Sequence, residues 1–212
     1  MNEDGDIINS EQFFGESMGD ERNILYNLPP TELGYHLLHI APGVLKNYIS
    51  TGYIHPTAII YPNVKIGNNF YIGAYSVIGG PPEHREYWDR EYKGVVIGDN
   101  VRISNHVTID AGTQRNTVIG DNSVILAHAH IGHDAILSDA ITVSCGAKVG
   151  GECEIGEYTN IGLNASVHQR IKIPNNCMIG ANAFIGKTLQ MEPGNKYVGV
   201  PARYLGPNTK KQ

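Results

Sequence analysis

The sequence predicts an all-β protein wound as a parallel β-helix of six-residue repeats. Three observations predict it. An aliphatic residue recurs at every sixth position over long runs. A second small or apolar residue follows four places later. Gly, Asn and Asp crowd the positions between them, where a chain that turns corners needs unusual backbone angles.

The period runs through Ile54, Ile60, Ile66, Ile72 and Ile78, resumes at Ile97, Ile103 and Ile109, and runs again from Ile119 to Ile185 without a slip. The small partners include Ala58, Val64, Ala129, Ala135, Ala147, Cys153, Ala165 and Ala183. Each hexad reads as a short strand and a corner, with the aliphatic residue filling the interior of a prism. Three hexads make one triangular coil, and coils stack at roughly 4.8 Å. A helical period near 3.6 does not fit these runs, and a β-sandwich would show alternation of two with irregular turn spacing.

The organisation that follows is a mobile N-terminal segment over 1–22 and a short helical cap over 23–53. The β-helix spans 54–188 and a C-terminal tail 189–212. The cap would cover a terminal coil with unpaired edges. The tail leaves the period and is expected to run back along the prism. Two loops interrupt the helix, at 79–96 and 111–118. The first, GGPPEHREYWDREYKG, is proline-led, polar and aromatic, and holds the one tryptophan, Trp88. Long loops on a rigid repeat scaffold commonly carry function. The flat prism faces suit cyclic packing, so a homotrimer is expected.

Composition excludes several classes. The net charge of −5 gives no general attraction to nucleic acid or anionic membrane. No apolar run reaches the length of about eighteen residues that a membrane helix needs, and MNEDGDIINSEQFFGES lacks the basic start and apolar core of a signal peptide. Cys145, Cys153 and Cys177 form no CxxC pair. They read as small core residues in a reducing, cytoplasmic protein.

Chemistry concentrates in the histidines. They cluster in Ala127-His128-Ala129-His130-Ile131-Gly132-His133-Asp134, with His168 one residue short of two coils beyond His133. That spacing puts His133 and His168 near one edge, roughly 10 Å apart along the axis. Imidazole is the natural proton acceptor near neutral pH, and Asp134 would orient the His133 ring and stabilise its imidazolium. His133 is therefore the candidate general base, whereas His128 reads as a subunit contact.

Hexads of this kind resemble the left-handed β-helix, or hexapeptide-repeat, acyltransferase superfamily. The segments GGPPEHREYWDREYKGVVIGDNVRISNHVTIDAGT, AHIGHDAIL and ASVHQ resemble a narrower group, the UDP-N-acetylglucosamine O-acyltransferases of lipid A synthesis and related acyltransferases of nucleotide-linked amino sugars. The resemblance implies a left-handed helix. It implies acyl transfer from a thioester carrier, acyl-CoA or acyl carrier protein, to a hydroxyl or amine of a nucleotide sugar, with no tightly bound cofactor. It matches His133 to the general base and Asp134 to the neighbouring acid. His130 matches a histidine near the substrate, and His168 and Gln169 match residues on the nucleotide-sugar side. The first loop matches one that folds over acceptor and acyl chain. The Gly150 or Gly151 amide would stabilise the oxyanion.

The sequence departs from that pattern in places. The family's Gly-His reads Gly151-Glu152 here, which sets a carboxylate near His133, and its Ile-His-Arg-Gly-Thr reads Ile109-Asp110-Ala111-Gly112-Thr113. Val198-Gly199-Val200-Pro201-Ala202-Arg203 resembles the short ending of acyltransferases that use coenzyme A rather than the lipid A enzyme's large helical C-terminal domain. Two other classes remain open. A γ-class carbonic anhydrase would bind zinc through three histidines, with His106, His128 and His133 as candidates. A trimeric binding protein would reuse the fold without catalysis.

Overall fold

The computed structural model describes residues 52–87 and 89–209. The expected mobile segment over 1–22 and nearly all of the expected cap lie outside them, and Tyr53 already belongs to the first strand. Three parallel sheets form the faces of the left-handed β-helix. The first face stacks Tyr53–Ile54, Tyr71–Ile72, Arg102–Ile103, Val124–Ile125, Thr142–Val143, Asn160–Ile161 and Met178–Ile179. The second stacks Ile59–Ile60, Val77–Gly80, Thr108–Asp110, His130–Ile131, Lys148–Val149, Ser166–Val167 and Phe184–Ile185. The third stacks Val64–Ile66, Val95–Ile97, Thr117–Ile119, Ile136–Leu137, Glu154–Ile155 and Lys172–Ile173. Among the described residues no helix is long and apolar enough to cross a membrane.

Register explains the period. Ile131 pairs with Val149 and Leu137 with Ile155, one coil of eighteen residues on. The periodic aliphatics Ile72, Ile103, Ile131, Leu137 and Val149 are each fully buried along the prism axis. Burying one such side chain contributes about 1.5–3 kcal/mol. Ser76, Ser123 and Thr159 take three of the small-residue positions and are also fully buried. Each hydroxyl hydrogen-bonds to backbone, so burial leaves none unsatisfied.

Three residues after most core aliphatics, wherever no loop is inserted between Ile66 and Ile179, the backbone enters the left-handed region. Asn122 has φ 57°, Asp134 60°, Glu152 61° and Arg170 63°. These corners demand this angle, and among residues with a side chain Asn tolerates it best. Corner asparagines also bridge coils, as Asn100 Nδ2 donates to Asn122 Oδ1 at 3.2 Å.

Both insertions leave the same corner of the prism. The first separates Val77–Gly80 on the second face from Val95–Ile97 on the third, and the second separates Thr108–Asp110 from Thr117–Ile119. The loops are bonded to each other. Lys93 N donates to Gly112 O at 2.8 Å, and Gly94 N to Asn116 Oδ1 at 2.9 Å. In the next coil the same corner carries His133 and Asp134, directly after His130–Ile131.

Two expectations change. Residues 195–207 do not run back along the prism. Asn195–Val198 extends the first face, with Tyr197 over Ile179, and Arg203–Pro207 pairs back antiparallel. The buried Tyr197 ring takes the next core position, which holds this strand in the stack. Of the three cysteines, Cys153 and Cys177 are buried, but Cys145 is exposed because it sits on a corner beyond the core valine Val143.

Candidate functional site

His133 and Asp134 form a tight pair, with His133 Nδ1 2.7 Å from Asp134 Oδ2. Both are buried, at 8% and 2% exposure. The second loop holds the aspartate in place. Its carboxylate accepts from the amides of Thr113, Gln114 and Arg115 at 2.8–3.0 Å and from the Thr113 hydroxyl at 2.6 Å. The Asp134 amide donates to Thr117 Oγ1 at 2.9 Å, and Arg115 Nε donates to the Asp134 carbonyl. Burial alone would favour the neutral acid. The Arg115 amide, the Thr113 hydroxyl, His133 and the Thr113 amide outweigh it and hold the carboxyl far below the ordinary carboxylate range.

The opposite edge of the imidazole lies over glycine. A Cβ on Gly151 would stand 2.7 Å from His133 Nε2. Gly151 occupies the corresponding corner position one coil along, and Gln169 occupies it two coils along. The Gly150 amide is committed to the Val167 carbonyl at 2.9 Å.

The other candidate residues make contacts of their own. The Glu152 amide donates to the His133 carbonyl at 2.8 Å, whereas its carboxylate bonds elsewhere. It meets Arg170, with Oε1 2.7 Å from Nη2 and 2.9 Å from Nε, and that guanidinium holds its carboxyl below the usual range. His168 lies two coils from His133, with its ring edge-on to Phe184 and Nδ1 3.1 Å from the Gln169 carbonyl. His106 and His128 stack face to face, centroids 4.9 Å apart, on the corner between the first and second faces. His133 sits on the next corner. Within the chain these three imidazoles do not converge on one ion.

Sequence reading missed two members of the site. His84, in the first loop, sets its ring edge-on to His133 at 5.3 Å and to Tyr87 at 5.3 Å. Gln114 of the second loop donates to the Tyr87 hydroxyl at 2.6 Å, tying the loops together over the pair. The signal was the shared corner, because both loops leave the period where His133 stands. Asp110 is the second. It is 7% exposed, with Oδ2 3.9 Å from His130 Nε2 and 3.3 Å from the Glu83 amide. Burial pushes its pKa up to about 6 against the lowering influence of His130. Its signal was the departure from the family's histidine at this position.

No family model matches the chain. It is 33% identical over 144 residues to an acyl-carrier-protein-dependent UDP-N-acetylglucosamine O-acyltransferase of Campylobacter concisus, covering 66% of this chain and 54% of that protein. The crystal structure of a UDP-N-acetylglucosamine acyltransferase from Bacteroides fragilis superposes with TM-score 0.70 at 29% identity, over 74% of this chain and 62% of that one. The fold and the sequence match the hexapeptide-repeat acyltransferase superfamily. The crystal structure of a UDP-N-acetylglucosamine O-acyltransferase from Moraxella catarrhalis superposes with TM-score 0.60 at 28% identity, over 74% of this chain and 75% of that one. The chain spans about half the length of the first curated relatives of this superfamily that it matches.

Proposed function

We propose that the protein is an acyltransferase that moves an acyl group from a thioester carrier to a hydroxyl or amine of a nucleotide-linked amino sugar, with His133 as general base. The observation that carries the reading is the His133–Asp134 pair at the corner from which both loops leave. The relatives' names supply the substrate class, a UDP-N-acetylglucosamine acceptor and an acyl-carrier-protein donor.

The chemistry follows from the pair. Asp134 is ionised and accepts only, so His133 carries its proton on Nδ1 and donates it to Oδ2. Nε2 is then the free base. It takes the proton of the acceptor hydroxyl or amine as that atom attacks the thioester carbonyl. Asp134 stabilises the imidazolium that forms. With the Gly150 amide engaged, the Gly151 amide is the donor for the tetrahedral oxyanion. Collapse breaks the carbon–sulfur bond, and His133 returns its proton to the departing thiolate. Proximity of two bound substrates accounts for much of the rate, and no covalent intermediate is required.

In this reading His130, His168, Gln169 and Glu152 with Arg170 line the acceptor side. A second copy completes the groove in a cytoplasmic homotrimer, and the first loop covers the acyl chain. The test is an acyl-transfer assay with UDP-N-acetylglucosamine and either acyl carrier protein or coenzyme A thioesters, beside a thermal-shift screen of nucleotide sugars. Transfer by the wild type, its loss in His133→Ala and retained ligand-induced stabilisation are expected. No transfer from any donor, with no nucleotide sugar raising the midpoint, would leave a non-catalytic binding protein.

A further inference from the structure

Beside the His133 pair, the first loop and two adjacent strands bring together Glu83, Asp110 and His130. One ligand atom from each lies within 4.8 Å of the other two. It is the one such group among the described residues. Asp110 is buried, His130 half-buried and Glu83 exposed, so the group runs from the buried strand to the surface.

Two further observations separate this group from a chance cluster of acids. Asp110 Oδ2 and His130 Nε2 stand 3.9 Å apart, beyond hydrogen-bonding distance yet close enough to share an ion. His130 Nδ1 is 2.8 Å from Thr108 Oγ1. When Nδ1 donates to that hydroxyl, the tautomer leaves the Nε2 lone pair free. This is the outer hydrogen bond that a metal-binding histidine characteristically makes. The Glu83 amide, donating to Asp110 Oδ2 at 3.3 Å, ties the loop to the same carboxylate.

We infer that Glu83, Asp110 and His130 form a binding site for a divalent transition-metal ion of the zinc class. One imidazole nitrogen and two carboxylate oxygens suit such an ion better than calcium or magnesium, which favour all-oxygen sets. Two carboxylates match its charge, and three protein donors leave a position for water or a substrate oxygen. That position lies close to the His133 pair, since His84, next to Glu83 in the chain, packs on His133. The site is distinct from the His106–His128 stack, which lies on another corner.

The test is equilibrium binding of zinc, with no substrate present, to the full chain stripped of metal. The wild type is expected to take up one ion per chain and to melt at a higher temperature with zinc than without it. Asp110→Asn and His130→Gln should each weaken binding by more than about tenfold, and Thr108→Val by about tenfold through the outer hydrogen bond. His106→Gln should bind as the wild type does. A metal-free melt of each variant separates misfolding from ligand loss, and Glu83→Gln, on an exposed loop, provides a ligand variant that leaves the prism intact. The inference is overturned if the wild type takes up no zinc, if Asp110→Asn and Glu83→Gln bind it unchanged, or if His106→Gln abolishes binding. Each outcome is read from metal alone, so acyl transfer stands or falls separately.

Discussion

A side chain on Gly151 would collide with His133. The Cβ would come within 2.7 Å of Nε2 and 2.9 Å of Cε1, closer than such contacts are found. The glycine is what lets the imidazole lie flat across the next coil. Its φ is ordinary, so alanine there meets no backbone strain. Gly151→Ala is expected to fold normally and to lower kcat of acyl transfer by about a hundredfold, the usual cost of displacing a catalytic group by an ångström. Kinetics beside a melting curve would check it, and a loss of stability matching the loss of rate would count against the positional explanation.

Asp134→Asn should damage both rate and stability. The amide presents one acceptor oxygen where the carboxylate presents two to the Thr113, Gln114 and Arg115 amides, and it no longer fixes the His133 tautomer. Losing charge-assisted bonds at a site only 2% exposed costs about 1.5–3 kcal/mol at pH 7. The rate should fall by at least about a hundredfold.

The same carboxylate predicts acid sensitivity. Its pKa is depressed on folding, so its stabilisation is present above the ordinary carboxylate range and is lost as pH falls toward the folded value. The stability gap between wild type and Asp134→Asn should therefore narrow steadily below about pH 4. Urea titrations at neutral and acid pH would measure it, and a gap that widens in acid would contradict this reading.

Glu152→Gln is expected to change stability little. The Glu152–Arg170 pair is well exposed, so solvent screens it and its contribution to stability is small. If Glu152 lies on the acceptor side, the variant should raise KM for the nucleotide sugar while leaving kcat near the wild-type value.

Ile131→Ala tests the core beneath the site. Ile131 is fully buried, paired with Ile109 on one side and Val149 on the other, and immediately precedes the Gly132-His133 corner. The cavity should cost about 2–5 kcal/mol. Denaturant unfolding would report it, and a near-neutral result would mean that the coils close around the gap.

The fold was legible because a period of six is a local property. Each aliphatic buried in the prism announces itself in the sequence, and so does the corner three residues later, at Asn122, Asn164, Asn176 and Asn182. His133 and Asp134 were legible as neighbours in the chain. Glu152 was legible as a corner residue one coil beyond Asp134, but its partner was not, because position in the period does not say which way a corner side chain points. In the structure it turns to Arg170.

By itself, then, the sequence determined the β-helix, its coil length and the His133–Asp134 pair, since these depend on repeating burial and on adjacent residues. The tertiary structure alone decided that the two loops join over the His133 corner, through Gln114 and Tyr87. It also decided that loop amides 113–115 hold Asp134, and that Glu83, Asp110 and His130 meet. Those contacts join residues about 20–50 positions apart. They exist because the coils stay in register while the insertions loop out over one corner, and no local pattern encodes which side chains then face each other.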